Sequence, residues 1–373
     1  MQTDVFEQKN WALLQALAQS QGLDCLGVSD TNLQACEPHL KAWLNAGMHG
    51  EMAYMAKYGM DRLNADLLHP GAIRIVSVRV PYVDQTQMGE DAQAFCAQTM
   101  DRVLDPGRPY ISLYARGRDY HKVIRQRLKK LADGLNSALL EQGQFTFRVT
   151  CDSAPTPETE IARKAGLGWR GKHTLLIHPH EGSLFFLGEL FTNLPLPVSK
   201  PFEENHCGQC TRCLSACPTG AIVQPYQVDA RLCISYLTIE HESAIPLALR
   251  PKIGTRIYGC DDCQLVCPWN KFAKPAQFAD FNPRALFENP DWAGMMQWTE
   301  DAFLKNTEGS AIRRIGYRKF RRNLAVAAGN SNGGPVVLQG LVHMRQSADE
   351  FLAEHIDWAL AQLNTRQPSK SSD

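Results

Sequence analysis

Eight of the twelve cysteines in this 373-residue chain have spacings that can hold metal. One run reads Cys207-Gly-Gln-Cys210-Thr-Arg-Cys213-Leu-Ser-Ala-Cys217-Pro218, a second reads Cys260-Asp-Asp-Cys263-Gln-Leu-Val-Cys267-Pro268, and Cys233 lies between them. The C-x2-C-x2-C-x3-C-P run is typical of ferredoxins, in which three thiolates bind one [4Fe–4S] cluster and the fourth binds another. We therefore predict two clusters, one on Cys207, Cys210, Cys213 and Cys267 and the other on Cys217, Cys233, Cys260 and Cys263.

Tetrahedral zinc is the alternative for such cysteines, since structural zinc sites often take four thiolates from two C-x2-C pairs. Zinc does not explain the third cysteine of the first run, or the proline after both Cys217 and Cys267. Iron–sulfur clusters are therefore favoured. The long separation of Cys233 from Cys260 departs from a simple ferredoxin, and we expect the insertion at 234–259 to contact whatever the clusters reduce.

Asp152 is the second candidate for chemistry, because it follows the alternating segment 145–151 that predicts a strand. A carboxyl group at a strand end can act as a general acid if burial raises its pKa. The alternative is an aspartate that forms a turn by hydrogen-bonding its own backbone. Glu158 and Glu160 are predicted to be acidic residues in the first turn of a helix.

The segment from Gly166 to His173 matches the nucleotide-binding pattern G-x-G-x-x-G. That pattern needs a strand before the glycines and a helix after them, so that a phosphate lies on the helix N-terminus. Here a helix is predicted before the glycines and a strand after them. The glycines are therefore expected to allow close backbone approach to a large flat ligand or tight packing.

Strands and helices alternate through about the first 190 residues, which predicts an α/β or α+β domain with one central sheet. Prolines near 195–203 mark a linker into the cysteine region, and the segment after Pro268 is predicted to be helical. We expect domains at 1–195, 196–275 (ferredoxin-like) and 276–367 (a short helical repeat region), with a disordered tail at 368–373. Within the first domain, helices are predicted at 4–22, 36–60, 120–142 and 158–165, strands at 25–29, 73–80, 145–151, 174–178 and 184–191, and a polar, mobile stretch at 84–108.

Composition excludes a global attraction to nucleic acid or membrane, because 39 basic residues balance 39 acidic ones. No apolar run is long enough to span a bilayer, and the N-terminal residues lack a signal sequence. Metal-type cysteine spacing in a chain of this size indicates a reducing compartment. We therefore expect a cytoplasmic protein without a membrane partner.

A local basic segment at 313–322 is the exception to this balance. Its sequence, Arg-Arg-Ile-Gly-Tyr-Arg-Lys-Phe-Arg-Arg, interleaves Tyr317 and Phe320 with six cations. Such a segment suits phosphate contact and stacking on unpaired bases. The alternative, a solvated helix face, normally carries acidic partners, and this run contains none. We predict that six residues contact nucleic acid: Arg313, Arg314, Arg318, Lys319, Arg321 and Arg322.

Together these residues resemble the epoxyqueuosine reductases, cobalamin-dependent iron–sulfur enzymes that complete the synthesis of queuosine, a modified tRNA wobble base. The resemblance covers nearly the whole chain. It depends on the eight cysteines, Tyr120-His121, Asp152-Ser-Ala-Pro155, Glu158, Ala162, Ala165-Gly-Leu-Gly-Trp169, Gly171-Lys172, Tyr258-Gly-Cys260 and Arg321-Arg-Asn323.

The resemblance implies that the N-terminal domain binds cobalamin, that the clusters reduce this cofactor, and that Asp152 is the proton donor to the epoxide oxygen. It places cofactor contacts at Arg62, Asp152 and Lys172, and it implies tRNA and an external electron donor as partners of a monomer. The sequence departs from the family pattern at Thr159 and His173, where arginine and asparagine are expected.

Two other functions compete with this interpretation. A corrinoid reductive dehalogenase would share the cofactor and clusters but act on a small organohalide. Such enzymes typically carry an export signal with twin arginines, which this chain lacks, and they would have no use for the basic segment. A plain two-cluster electron carrier would leave about 190 N-terminal residues without a role.

Overall fold

The computed structural model describes residues 2–366, so the tail predicted at 368–373 lies outside the described residues. The N-terminal part is built on a four-stranded sheet of β1 (Leu26–Ser29), β2 (Arg74–Pro81), β7 (Phe185–Thr192) and β4 (Phe147–Thr150), in that order. Every neighbouring pair of strands is antiparallel. This confirms the mixed α and β class with one central sheet. The elements of this part are α1 Gln2–Ser20, β1 Leu26–Ser29, α2 Glu37–Asn45, α3 Ala53–Tyr58, α4 Ala65–Leu68, β2 Arg74–Pro81, α5 Gln85–Met88, α6 Ala92–Leu104, β3 Tyr110–Ile111, α7 Tyr120–Ala138, β4 Phe147–Thr150, α8 Glu158–Lys164, β5 Trp169–Arg170, β6 Leu176–Ile177 and β7 Phe185–Thr192.

The two central strands are covered on both faces. Strand β2 alternates polar and apolar residues, a pattern that usually leaves one face in water. Ser77 and Arg79 on that polar face are nevertheless buried. In β7 the buried Glu189 lies opposite Thr150 on one side and Ser77 on the other. The sheet therefore holds polar side chains in its interior, next to the end of β4.

The stretch at 84–108, predicted to be polar and mobile, contains two helices instead. Asp84 and Asp91 cap α5 and α6 by accepting backbone N–H groups of the first turn. Phe95, Thr99 and Val103 recur every four residues and are buried, so α6 packs one face on the core. The prediction was wrong because this helical period is diluted by glutamines and aspartates.

The cysteine region and the C-terminal helices pack directly on the sheet domain. Phe278 and Phe281, both beyond the cysteines, share one hydrophobic core with Tyr82 and Phe186. A second core joins Ile111 to the C-terminal helices. The domain boundaries at 195, 275 and 367 stay a prediction. The elements are α9 Arg212–Ala216, β8 Ile222–Gln224, β9 Gln227–Val228, α10 Ile234–Ile239, α11 Arg250–Ile253, β10 Arg256–Tyr258, α12 Asp262–Leu265, α13 Ala285–Glu288, α14 Trp292–Met296, α15 Glu300–Asn306, α16 Gly316–Gly329, α17 Pro335–Gln346 and α18 Glu350–Arg366.

Among residues 2–366, none of the helices combines the length and apolar character needed to cross a membrane.

Candidate active site

A cavity of about 1450 Å³ lies beside the sheet, next to the C-terminal end of β4. Ordinary small-molecule pockets measure about 300–1,000 Å³, so this space suits a large ligand. Two of the predicted cofactor contacts, Arg62 and Asp152, line it. Arg314 of the basic segment and Thr159, one of the two departures from the family pattern, line it as well.

Several buried polar atoms around this cavity lack partners. Within the described part of the chain, Nε of Arg62, Oγ1 of Thr156 and Nε1 of Trp169 are buried without a hydrogen bond. The Arg62 guanidinium also lies near the rings of Tyr54 and Tyr58, at 5.9 and 5.8 Å. Buried donors normally find partners. These three residues can therefore offer hydrogen bonds to a large polar ligand in the cavity.

Asp152 is held at the cavity wall in a conformation that few L residues adopt. Its φ is +59°, in the left-handed region. Its backbone N–H donates to Oε1 of Glu158 at 2.5 Å. Its carboxylate accepts from the Tyr120 hydroxyl and lies 3.1 Å from Nε2 of His121. The Asp152 carboxylate therefore bonds to side chains of α7. It does not form the hydrogen bond to its own backbone that was the alternative interpretation.

His121 lies between two carboxylates. Its Nδ1 is 2.7 Å from Oδ1 of Asp119, the residue that also caps α7 by accepting the backbone N–H of His121. Burial alone would lower the pKa of His121, but hydrogen bonds to Asp119 and Asp152 outweigh it and raise the pKa above its usual value. The imidazole is therefore oriented at both nitrogens and favours its protonated form.

The same contacts act in the opposite direction on Asp152. Burial would raise its pKa, but hydrogen bonds from His121 and Tyr120 and the charges of His121 and Arg314 together lower it. From the sequence, Asp152 is expected to act as a general acid only if burial raises its pKa. The structure does not meet this condition. The lowered pKa of Asp152 favours its ionised form, and the raised pKa of His121 favours its protonated form.

Glu158 was predicted only as an acidic residue in a helix first turn, and it does begin α8. The Glu158 side chain is half-buried and lines the large cavity. Partial removal from water, together with the charges of Glu189 of β7 and Asp152, raises the pKa of Glu158 well above its usual range. Burial raises the pKa of Glu189 to about 7. The half-buried Glu158 and the buried Glu189 therefore form a pair of carboxyl groups next to the backbone of Asp152.

The first set of predicted cluster ligands surrounds one small cavity. Cys207, Cys210, Cys213 and Cys267 all line it. All twelve cysteines of the chain are free thiols. Residues 2–366 contain no group of three His, Cys, Asp or Glu side chains placed to hold a single metal ion. The first four thiols are instead distributed around a space, as binding to the corners of a cluster requires.

The second set of predicted ligands is also close together. Burial has the largest effect on Cys263 and raises its pKa. Negative charge on Cys233 and Cys217 raises the pKa of Cys263 further. Cys260 is likewise affected by Cys263 and Cys233 after burial. The fold thus brings Cys233 to the Cys260–Cys263 pair across the insertion at 234–259.

Lys172, predicted as a cofactor contact, lies at the first cysteine cavity and not at the large one. Its Nζ donates to the carbonyl oxygens of Gly208 and Cys210, at 2.7 and 2.9 Å. His173 lines the same small cavity. The glycines before Lys172 serve packing, since a Cβ on Gly168 would lie 2.2 Å from the carbonyl oxygen of Ile177. Lys172 therefore holds the cysteine loop.

Four of the basic residues at 313–322 are at the surface, but acidic or backbone partners engage them. Arg314 pairs with Glu240 at 2.7 Å and Arg318 with Asp349 at 2.8 Å. The exposed Arg313 donates to a backbone carbonyl, and so does Arg321. The acidic partners that the segment lacks in sequence are supplied by the fold.

The other basic residues are less accessible. Arg322 is fully buried and donates to the carbonyl oxygens of Leu237, His241 and Ser243, so it cannot contact nucleic acid. Lys319 is mostly covered and pairs with Glu242. Phe320 is buried and stacks on Trp298, so it is not free to stack on a base. The prediction for Arg322 and Phe320 was wrong because these positions face the core of the C-terminal helices.

Two family models match this chain. Residues 206–270 match the 4Fe-4S double cluster binding domain, and residues 62–153 match the family described as epoxyqueuosine reductase QueG, DUF1730. The epoxyqueuosine reductase of Salmonella typhimurium is 52% identical over 91% of this chain and 85% of its own length. That of Escherichia coli is 49% identical over 93% and 87%.

Solved structures give the same result. A structure of epoxyqueuosine reductase with an epoxyqueuosine-modified tRNA-Tyr stem loop superposes with a TM-score of 0.77 at 25% identity, covering 96% of this chain and 99% of that one. The Bacillus subtilis epoxyqueuosine reductase, described with its aspartate catalytic loop swung out of the active site, gives 0.79 at 26% identity, covering 95% and 91%. The chain belongs to the epoxyqueuosine reductase family.

Proposed function

We propose that the chain reduces epoxyqueuosine to queuosine in tRNA. The observation that carries this proposal is the Asp152 carboxylate, bonded to Tyr120 and His121, on the wall of a cavity that Arg314 of the basic segment also lines. Family membership at 52% identity and the relative's complex with a modified tRNA stem loop support the substrate. The net change takes two electrons and two protons, removes the epoxide oxygen as water and leaves the carbon–carbon double bond of queuosine.

Cobalamin is the cofactor that we propose for the large cavity. Its volume and the unpartnered donors of Arg62, Thr156 and Trp169 fit a large polar ligand. When bound and reduced, cobalamin would supply a strongly nucleophilic cobalt centre for opening the epoxide. The eight cysteines fit two [4Fe–4S] clusters, which would supply single electrons from an external donor.

The residues of the chain supply the first of the two protons, and solvent supplies the second. The two carboxylate partners of His121 raise its pKa, which favours the protonated imidazole as the source of the first proton. His121 passes it from Nε2 to Oδ2 of Asp152, which then donates to the oxygen released from the epoxide. Asp119 stabilises the imidazolium and fixes its orientation. Asp152 is thus the donor to substrate, and His121 restores its proton.

The segment 152–157, here called the Asp152 loop, is proposed to move during this cycle. The Bacillus subtilis relative has been described with its aspartate catalytic loop swung out of the active site. In this chain the strained φ of Asp152 supports a loop with two positions.

The test is turnover by the anaerobically purified chain with cobalamin, a chemical reductant and a tRNA stem loop that carries epoxyqueuosine. Mass spectrometry of the nucleosides should show queuosine. Asp152→Asn should lower turnover by about 10²- to 10⁴-fold, the usual contribution of a general acid, with unchanged iron content. Asp133→Asn, an exposed aspartate on α7, is the matched control. Normal queuosine in tRNA from a deletion strain would contradict the proposal.

The remaining expectations belong to the same proposal. We propose a cytoplasmic monomer whose tRNA contacts are Arg313, Arg314, Arg318, Lys319 and Arg321. The competing dehalogenase function is tested by offering the same preparation a small organohalide, and halide release without tRNA turnover would favour it.

A further inference from the structure

Two glutamates, Glu158 and Glu189, meet beneath the Asp152 loop. Glu189 lies in the middle of β7 and is fully buried. Its Oε2 accepts from the Thr150 hydroxyl on the neighbouring strand β4 at 3.1 Å. Its Oε1 is buried and has no hydrogen-bond donor among the described residues. An unsatisfied buried carboxylate oxygen is costly, so a proton between the two carboxyl groups is the simplest way to satisfy it.

Among the described residues, no cationic side chain forms an ion pair with either glutamate of this pair. The charged or titratable groups around it are Asp152 and the Cys151 thiol at the end of β4, and both add repulsion if ionised. Arg125 of α7 acts on Cys151, and it is not among the groups that affect either glutamate. Two carboxylates in contact disfavour each other's ionisation and raise the pKa of at least one of them. The arrangement therefore favours a pair that keeps one proton near neutral pH.

The pair is connected to the catalytic residue through the backbone. Oε1 of Glu158 accepts the N–H of Asp152 at 2.5 Å. Asp152 has a φ of +59°, which is unfavourable for a residue with a side chain and persists only where neighbouring contacts hold it. The hydrogen bond that the Asp152 N–H donates to Glu158 is one such contact, and it sets the direction of the Asp152 carboxylate towards Tyr120 and His121.

We propose that Glu158 and Glu189 share one proton and, in that state, hold the backbone of Asp152 so that its carboxylate faces His121. They are positioning residues for the proposed reduction, and this inference rests on that proposed function. Loss of the shared proton places two negative charges in contact, so Glu158 moves away and the Asp152 loop is released. Rising pH therefore opens the loop.

The first test needs no substrate. In the cluster-loaded protein, difference infrared spectroscopy should detect the C=O stretch of a protonated carboxyl group at pH 6 that is lost in Glu189→Gln. The exposed Glu300→Gln is the matched control and should leave the band unchanged. Amide hydrogen exchange at Asp152, corrected for its intrinsic pH dependence, should accelerate on the order of tenfold between pH 6 and pH 8.5. In Glu189→Gln this acceleration should disappear, because the amide cannot ionise and still donates to Glu158.

The second test separates positioning from folding. Glu158→Gln keeps an oxygen that accepts the Asp152 N–H, so it should retain kcat within about threefold at pH 6, whereas Glu158→Ala should lose more than about tenfold. Glu189→Gln should retain activity at pH 6 and lose less of it at pH 8.5 than the unsubstituted protein does. Equal acceleration of exchange in Glu189→Gln and in the unsubstituted protein would overturn the inference, and so would a protonated-carboxyl band that survives both substitutions. Inactivity of the unsubstituted protein on tRNA would instead contradict the proposed function, and the infrared and exchange data alone would then decide the inference.

Discussion

The buried carboxyl of Glu189 should make the protein less stable as pH rises, and Glu189→Gln should remove this dependence. A group with a raised pKa in the folded state contributes stability that is fully present below its unfolded pKa and lost as pH rises through its folded pKa. For Glu189 the interval runs from the ordinary value of 4.5 to about 7. A rise of this size corresponds to about 3 kcal/mol, at 1.36 kcal/mol per pKa unit.

The assay is urea unfolding of the cluster-loaded protein under anaerobic conditions, followed by tryptophan fluorescence at pH 5, 6, 7 and 8. The free energy of unfolding of Glu189→Gln, relative to that of the unsubstituted protein, should rise by about 2 to 3 kcal/mol between pH 5 and pH 8. Most of the rise should occur below pH 7. Glu300→Gln, whose side chain is exposed, should show no such trend. A difference that is constant across this range would show that Glu189 is ionised in the folded protein and would refute the reasoning.

Three further predictions concern other parts of the site. His121→Asn should lower kcat more than KM. It should also reduce the decrease in activity with rising pH to the slope of a single group, because only the Glu158–Glu189 pair then titrates; an unchanged pH profile would remove His121 from proton transfer. Lys172→Met removes the two hydrogen bonds to the cysteine loop, so iron analysis should show loss of up to about four irons, whereas the exposed Lys130→Met should keep all of them. Arg322→Met leaves three buried carbonyl oxygens without a donor and should lower the free energy of unfolding by about 3 kcal/mol or more, as measured by urea titration. Arg313→Met should instead weaken tRNA binding, measured in a binding assay, with little change in stability.

Spacing alone predicted the cysteine constellation, and the fold assembles its first four members around one cavity. Asp152 could be singled out because a strand ends before it. The side chains that would supply its proton could not be singled out in this way, because Asp119 and His121 follow no strand and precede Asp152 by about thirty residues. The one available signal was Asp119 two residues before His121, the spacing of a helix cap whose carboxylate can also reach the imidazole.

The contact between the two glutamates depends on strand register, which could not be predicted from the sequence. Glu189 lies in the apolar run 185–192, where a lone acidic residue is a signal of special function or strain. Its partner Glu158 follows the predicted pattern of a helix first turn, so nothing local indicates burial. Only the pairing of Thr150 with Glu189 places β7 under the start of α8. The burial of Arg322 also could not be predicted from the basic segment, because it depends on how that helix packs in the fold.

In the proposal, the function of Asp152 depends on two groups that hold protons, and a rise in pH weakens the contribution of both. In the proposed reduction, His121 supplies the Asp152 carboxylate with a proton, and the Glu158–Glu189 pair holds the backbone of Asp152. Each loses its proton as pH rises, so two ionisations reduce the active population together. The logarithm of kcat should therefore fall with pH more steeply than one ionisation permits in the unsubstituted protein. In Glu189→Gln the slope should return to that of a single group, because only His121 then titrates.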